Sequence, residues 1–477
     1  MRLALEHPNF FAGVLDGDSW RTWRILLIAA MGEPLTDVER VTFEAITGRP
    51  HESLQRAEEL WGIVGRRGGK TRAIAVLACY IAAMCEWDDV LAPGERGQLP
   101  IMSASMQQAQ KCFSYILGIC QQSPYLKTLL ERNTSDTISL STRIDIEVRP
   151  ANYRTIRGGT AVAAIGDEAA FWVGDTTVNP DTEILNAIRP AMATTGGILA
   201  VISSPYARRG EVWTTYRRHY GPDGDPLVLV AKGASRTFNP DLSEKVIARA
   251  FERDPASASA EYGAEFRQDL ESFVSREAIE RCTMPGRHEL PAQPGIRYVG
   301  FVDASGGSVD SFTLGIGHRE GEIAVLDLLR EVRPPFSPDD VVAQFSAVLK
   351  SYRITSATSD RYALGWVAER FGAHGVKLDQ SAAPKSELYG SMLPLLNSGR
   401  IELLDNQRML GQLANLERRT RSGGRDSIDH PPGAHDDLIN AAAGALVLAA
   451  AKPRMWKISP AMLARASEKY TRPNSYE

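Results

Sequence analysis

The stretch Gly65-Arg66-Arg67-Gly68-Gly69-Lys70-Thr71 constrains the chain most. It follows the apolar run Trp61–Val64 and precedes a strongly helical run from Arg72 to Met84. Strand, glycine-rich turn, Lys-Thr and helix is the layout of a phosphate cradle: glycines let backbone N–H groups come close, and a helix N-terminus adds a favourable dipole. Gly65, Arg66, Gly68, Gly69, Lys70 and Thr71 are the expected nucleotide contacts. Lys70 would reach the β- and γ-phosphates, and Thr71 would hold Mg²⁺. One departure stands out: the usual first glycine position is Val64, and the glycine is displaced to Gly65.

A partner motif follows downstream. The apolar run Ala161–Ile165 ends in Gly166-Asp167-Glu168-Ala169-Ala170-Phe171. A buried strand that delivers Asp-Glu supplies the other half of an ATP site. Asp167 is the expected Mg²⁺ ligand, through water or through Thr71, and Glu168 the catalytic base that polarises the attacking water. Arg66, inside the loop, is expected to neutralise charge that develops on the transferred phosphoryl group.

Composition sets wide bounds. The chain has 477 residues, 43% hydrophobic and 23% charged, with a net charge of −4 and a pI near 6.1. Length suggests two to three domains. No global basic excess points to nucleic acid, so DNA contacts must be local. The cysteines Cys79, Cys85, Cys112, Cys120 and Cys282 form no CxxC pair and read as reduced core residues. The N-terminus lacks a signal-peptide pattern, and the longest apolar runs are about half a membrane span.

The pattern divides the chain into a helical part at 1–60, an alternating strand–helix core at 61–270, a Pro/Gly-rich linker at 271–296, a second α/β domain at 297–450 and a polar tail at 451–477. Expected strands of the core are 61–65, 99–104, 144–148, 161–165, 198–203 and 227–231. The region 385–420 reads as mostly helical.

The second domain carries its own chemistry. Asp303 closes the strand Tyr298–Val302, Asp360 ends a later strand, and Asp436 and Asp437 open the last helix. Such carboxylates repel one another unless cations bind, so together they invite Mg²⁺ or Mn²⁺, and two metals would clamp the attacking and leaving oxygens of a phosphodiester. Asp303, Asp360 and Asp437 are the expected catalytic set, with Asp436 a further ligand and Asp310 an outer candidate. Basic residues with interleaved aromatics, Arg208-Arg209 and Arg217-Arg218 beside Tyr206, Trp213 and Tyr216, form a candidate DNA surface. Arg418, Arg419, Arg421 and Arg425 form another.

In order and spacing, these motifs resemble the large terminase subunit of tailed double-stranded DNA bacteriophages over residues 10–450. The resemblance implies an ASCE-type P-loop ATPase followed by a ribonuclease-H-like nuclease, a packaging motor that uses ATP and Mg²⁺ to pump double-stranded DNA and cuts the concatemer. It implies a coupling segment, fitted by Ile202-Ser203-Ser204-Pro205, with Ser203 and Ser204 sensing the γ-phosphate. It implies an arginine acting in trans, for which Arg154 and Arg157 are candidates not separable from Arg143 or Arg149. It further implies a homo-oligomeric ring, a pentamer when docked on the portal protein of the procapsid, a small terminase partner, and residence in the host cytoplasm rather than in the mature virion. A helicase-like repair nuclease and a non-enzymatic assembly adaptor are the competing readings. The first would need arginine-bearing motor motifs in the second half, and intact Lys70, Asp167 and Glu168 argue against the second.

Overall fold

The computed structural model describes residues 1–150, 159–172, 180–267, 269–305, 310–360, 365–420, 426–431 and 434–451. It divides into two compact units. The first contains Met1–Arg276 and Asn406–Asp436; the second contains Glu277–Asp405 and the chain from Asp437 onward.

The first unit is built on an eight-stranded sheet. Its strands are β1 (Glu59–Val64), β2 (Gly97–Ser103), β3 (Leu130–Asn133), β4 (Thr137–Leu140), β5 (Ile144–Pro150), β6 (Ala163–Asp167), β7 (Ile198–Ser203) and β8 (Val228–Gly233). The spatial order is β3-β4-β5-β2-β6-β7-β1-β8. From β5 to β8 every pairing is parallel, and β3-β4-β5 adds an antiparallel edge. β6 and β7 are buried along their whole length, as expected of parallel strands covered on both faces, which therefore read as unbroken apolar runs. The helices Lys70–Met84 and Met106–Gln122 contribute Ile74, Leu77, Ile81, Phe113, Ile116 and Ile119 to the core beneath the sheet. β7 lies between β1 and β6, so the strand that ends in Ser203 separates the phosphate-loop strand from the Asp-Glu strand. This is the ASCE arrangement. It aims three chemically distinct strand ends at one crevice, outside the carboxyl edge of the sheet.

The second unit holds a six-stranded sheet of order β14-β13-β10-β11-β12-β15. Its strands are β10 (Tyr298–Asp303), β11 (Phe312–Glu320), β12 (Ile323–Val332), β13 (Ser356–Ser359), β14 (Lys377–Gln380) and β15 (Ile401–Glu402). An antiparallel meander β10-β11-β12 is flanked by β13 and β14, which run parallel to β10. This is the ribonuclease-H-like topology. The helix Asp437–Ala450 packs on the meander. A Cβ on its Gly444 would come within 2.2 Å of the Phe301 ring, so only glycine permits the observed approach.

Two expectations require correction. The stretch 271–296 is not a plain linker: it holds part of β9 (Leu270–Ser272) and the helix Arg276–Cys282. The region 385–420 is mostly helical, as expected, but not continuously so. Helices at Lys385–Asn397 and Gln407–Asn415 are separated by β15, and the Arg-rich end is β16 (Glu417–Thr420). β16 pairs with β9 on one side and β17 (Asp426–Asp429) on the other. The expected continuous domain 297–450 is interrupted, because Asn406–Asp436 belongs to the first unit. Backbone pairing with β9 outweighs sequence proximity. Among the described residues no helix is long and apolar enough to cross a membrane. All five cysteines are unpaired, and four are buried.

Candidate functional site

The phosphate loop is shaped by contacts from outside it. Gly69 has φ +84° and begins the helix Lys70–Met84. A side chain there would be both left-handed and within 2.8 Å of the Trp20 ring. Successive loop carbonyls are held by other elements. Trp23 Nε1 donates to Gly68 O at 2.6 Å, Ser235 Oγ to Arg66 O at 2.7 Å, and Asn239 Nδ2 to Arg67 O at 2.8 Å. Anchoring the carbonyls outward leaves the N–H groups of the turn to face an anion. Sequence reading missed Trp23, Ser235 and Asn239 because they come from segments far along the chain.

Lys70 is buried. Its Nζ donates to Val64 O and Ser204 Oγ, each at 2.8 Å, and lies 3.3 Å from Glu168 Oε1. Glu168 adopts the left-handed conformation, φ +51°, rare for a non-glycine residue and costly unless its surroundings enforce it. They do. Its N–H donates to Ile202 O at 2.7 Å, and its Oε2 accepts from Ser204 N at 2.9 Å. Ser203 Oγ accepts from Ala170 N at 3.1 Å and donates to Ser204 O at 2.9 Å. Lys70, Glu168, Ser203 and Ser204, expected from three separate motifs, thus form one contiguous network.

Asp167 ends β6 in the same crevice. It is almost fully buried, and its Oδ1 has no hydrogen-bond partner. Burial, with the Glu168 charge next to it, pushes its carboxyl up to about 7, against the opposing pull of Lys70. A buried carboxylate oxygen with no donor has the chemistry of a Mg²⁺ ligand, and Thr71 follows Lys70 in the first turn of the helix Lys70–Met84. The residues present therefore fit a magnesium–nucleotide.

Arg66 is placed differently from expectation. Its side chain is exposed and ion-paired with Glu261 at 3.0 Å, while its N–H donates to Glu261 O at 2.5 Å. In this conformation it tethers the loop to the helix Pro255–Glu261 and leaves the crevice to Lys70. Arg154 and Arg157 lie outside the described residues.

In the second unit, β10 and β13 are parallel neighbours in register Val302↔Ser359, and Asp360 N donates to Val302 O at 3.3 Å. Asp303 and Asp360 therefore leave adjacent strands at the same end. The closely packed helix Asp437–Ala450 brings Asp437 to that end. Thr313 Oγ1, on the residue paired with Asp303, donates to Asp437 O at 2.8 Å, and Ser311 N donates to Asp437 Oδ2 at 3.2 Å. Asn440 Nδ2 donates to Asp303 Oδ2 at 2.8 Å. Carboxylate oxygens of Asp310 and Asp437 lie within 4.8 Å of one another. Asp303 and Asp360 thus end neighbouring strands on the side where the helix of Asp437 begins, and Asp437 and Asp310 lie together there, carboxylates of a kind suited to hard divalent cations. Asn440, unforeseen, lies three residues after Asp437 and so shares its helix face.

Asp436 does not join this set. It belongs to the first unit, where it groups with Asp429 and His430; successive residues at a helix start point in different directions. The basic patches are also thinned. Tyr206 and Arg209 turn inward to Glu417, at 2.7 and 2.6 Å, and Arg419 reaches the same carboxylate at 3.3 Å. Arg421 and Arg425 lie outside the described residues. Arg208 and Arg217 remain exposed, each over the Trp213 ring at 5.5 and 5.9 Å, and Lys232 lies 5.6 Å from the Tyr216 ring centre.

The chain matches no protein-family model and no curated protein. Among solved structures it is similar to the HK97 bacteriophage large terminase, at 16% identity over 91% of this chain and 100% of that one, TM-score 0.38. It is similar to the large terminase of thermophilic bacteriophage D6E, at 10% identity over 90% and 98%, TM-score 0.39. A third is the magnesium-bound large terminase nuclease of thermophilic phage G20c, at 17% identity over 37% and 96%, TM-score 0.32. The chain is an α/β protein with a glycine-rich loop and an Asp-Glu strand end on one edge of the first unit's sheet, and strand-end carboxylates in a ribonuclease-H-like sheet in the second.

Proposed function

We propose that the chain is a large terminase subunit: a motor that hydrolyses ATP to drive double-stranded DNA into a procapsid, and a metal-dependent endonuclease that cuts the concatemer. The observation that carries the reading is the shared network of Lys70, Ser204 and Glu168 beside the partnerless Asp167 oxygen. It is what an ATPase crevice looks like when its own side chains satisfy the lysine.

On nucleotide binding, Lys70 exchanges Glu168 and Ser204 for the β- and γ-phosphate oxygens. Magnesium held by Asp167 and Thr71 would supply further neutralisation of the triphosphate. Release from Lys70 leaves the Glu168 carboxylate, still oriented by Ser204 N, able to accept a proton from the attacking water. Ser204 then senses whether Lys70 is occupied by phosphate or by itself, which gives the coupling segment two states. In the second unit, Asp303, Asp360 and Asp437 would hold divalent metal, Mg²⁺ or Mn²⁺, which supplies Lewis-acid activation for phosphodiester hydrolysis. Asn440 and Ser311 orient two of those carboxylates. Exposed Arg208, Arg217 and Arg218 supply sequence-independent phosphate contacts, suited to a motor that must move any DNA. Docking on a portal as a homo-oligomeric ring, partnership with a small terminase subunit, an arginine in trans and action in the host cytoplasm belong to the same proposal.

Its test is phosphate release by the purified chain with Mg-ATP, with and without linear double-stranded DNA. DNA-stimulated hydrolysis is expected; absence of hydrolysis in folded protein would overturn the motor reading.

A further inference from the structure

His318 and Asp327, in the second unit, take no part in either centre. They are 7% and 1% exposed, and His318 Nδ1 lies 2.9 and 2.7 Å from the two Asp327 carboxylate oxygens. A β-bulge brings them together. Ile316 pairs with Leu328 and Gly317 with Leu326, so Asp327 is the extra residue of β12, with no partner on β11. Bulges re-aim a side chain and are over-represented beside functional sites. The carboxylate keeps the proton on Nδ1, which leaves Nε2 an acceptor. Among the described residues that Nε2 has no hydrogen-bond partner, although its residue is more than nine-tenths buried.

Both residues line a cavity of about 840 Å³, a size that small-molecule ligands occupy. The segment 287–297 is pinned beside it. Leu290 N donates to Asp327 O at 2.8 Å, Gln293 N to Tyr298 Oη at 2.9 Å, and Tyr352 Oη to Leu290 O at 2.5 Å. Tyr298 pairs with His318, whereas Asp303 pairs with Thr313 at the other end of β10. The length of that strand, about 17 Å, therefore separates the cavity from the Asp303 end. Val325 and Leu448 give the cavity an apolar wall. Of its guanidinium groups, Arg287 pairs with Glu402 and Arg319 with Glu322. Arg297 is exposed and has no ion-pair partner among the described residues. One uncompensated cation, with Glu320 also in the wall, suits a single phosphate and disfavours a triphosphate.

We infer that this cavity binds a nucleoside monophosphate, with an N–H of the base on His318 Nε2, the ring against the apolar wall and the phosphate on Arg297. Each part of that ligand answers one observation. A buried acceptor nitrogen calls for a donor, and every nucleobase carries an N–H. A guanidinium without a carboxylate matches a phosphate monoester. Asp327 is a positioning residue, because it fixes the tautomer that leaves Nε2 able to accept. The site is separate from the Lys70 crevice and does not depend on the motor reading.

The experiment titrates deoxyadenosine 5′-monophosphate calorimetrically into the full chain carrying Lys70→Ala, which disables the phosphate loop as a competing site. Binding is expected, and inorganic phosphate or deoxyadenosine alone should bind about tenfold more weakly or less. Adding Arg297→Ala, at an exposed position, should weaken nucleotide binding by about tenfold or more, the scale of a hydrogen bond to a charged group. Adding His318→Phe together with Asp327→Leu replaces the buried pair by apolar groups of similar size, which protein interiors often tolerate. That variant should lose binding to a similar extent, with its fold checked by thermal melting. Undiminished binding in either folded variant would overturn the inference. So would binding by wild type that Lys70→Ala abolishes, or inorganic phosphate that binds as tightly as the nucleotide. If the double substitution fails to fold, Arg297→Ala decides the matter alone. Arg297→Ala in the wild-type background should leave ATP hydrolysis unchanged.

Discussion

Lys70 Nζ donates to Ser204 Oγ across 134 residues of chain, at 2.8 Å. The cation that a phosphate cradle needs is therefore already bound to the segment expected to sense the phosphate. ATP must compete with that hydroxyl and with Glu168. The substitution Ser204→Ala removes one competitor, a hydrogen bond to a charged group worth about 1.5–3 kcal/mol. Titration calorimetry should show nucleotide binding as tight as wild type or up to about tenfold tighter, with DNA stimulation of hydrolysis lost. Weakened binding with intact stimulation would contradict the exchange.

The Asp167 carboxyl, raised to about 7 by burial and by Glu168, makes a pH prediction with a definite sign. In the unfolded chain it titrates near its ordinary value of about 3.9. Between those values the folded state binds the extra proton, so stability is fully present below the lower one and is lost as pH rises through the upper, by about 1.4 kcal/mol per unit of separation. Metal-free thermal melts from about pH 4 to pH 7 should therefore fall more steeply for wild type than for Asp167→Asn. Mg-ATP should cancel the difference by favouring the ionised form. Parallel melting profiles of the two proteins would refute the assignment.

Trp23 holds the loop by its indole N–H on Gly68 O, at 2.6 Å within the core. Trp23→Phe preserves the ring packing on Phe238 but leaves a buried carbonyl unpaired, at about 1–3 kcal/mol. The KM for ATP should rise by about tenfold while kcat changes little, since the N–H shapes the cradle and takes no part in the chemistry. A loss confined to kcat would show that the bond acts elsewhere.

In the second centre, Asn440→Ala removes the amide that donates to Asp303 Oδ2 at 2.8 Å. Metal-dependent plasmid cleavage should fall, and the metal concentration for half-activity should shift upward by about 10–100-fold, as for other outer-shell partners of metal ligands. ATP hydrolysis should be unaffected. Cleavage unchanged at limiting metal would remove Asn440 from the site.

Much of this was legible in the sequence where chemistry and burial coincide. The unbroken apolar runs of β6 and β7 announced parallel strands, and Lys70, Asp167 and Glu168 stood where strand ends place them. Asp303 was readable as a strand-end carboxylate because its strand is short, apolar and sharply stopped, whereas Asp360 follows the short polar strand Ser356–Ser359. What was not legible depends on contacts between distant segments. β16 is rich in arginine and shows no clean alternation, since its residue Glu417 faces inward as a paired charge, so its strand identity comes from β9 and β17. Adjacent Asp436 and Asp437 look equivalent in sequence; the bonds from Ser311 and Thr313 to Asp437 join distant segments and set it apart. Arg66 looked catalytic by position, but Glu261, almost two hundred residues later, claims it.

The central claim is two separate chemical centres in one chain. Its most direct test is a paired assay of wild type, Lys70→Ala and Asp303→Ala, each confirmed folded, for ATP hydrolysis and for Mn²⁺-dependent plasmid cleavage in the absence of nucleotide. Lys70→Ala should abolish hydrolysis and retain cleavage, and Asp303→Ala should do the reverse. Loss of both activities in either folded variant, or cleavage by wild type in no metal, would contradict the account.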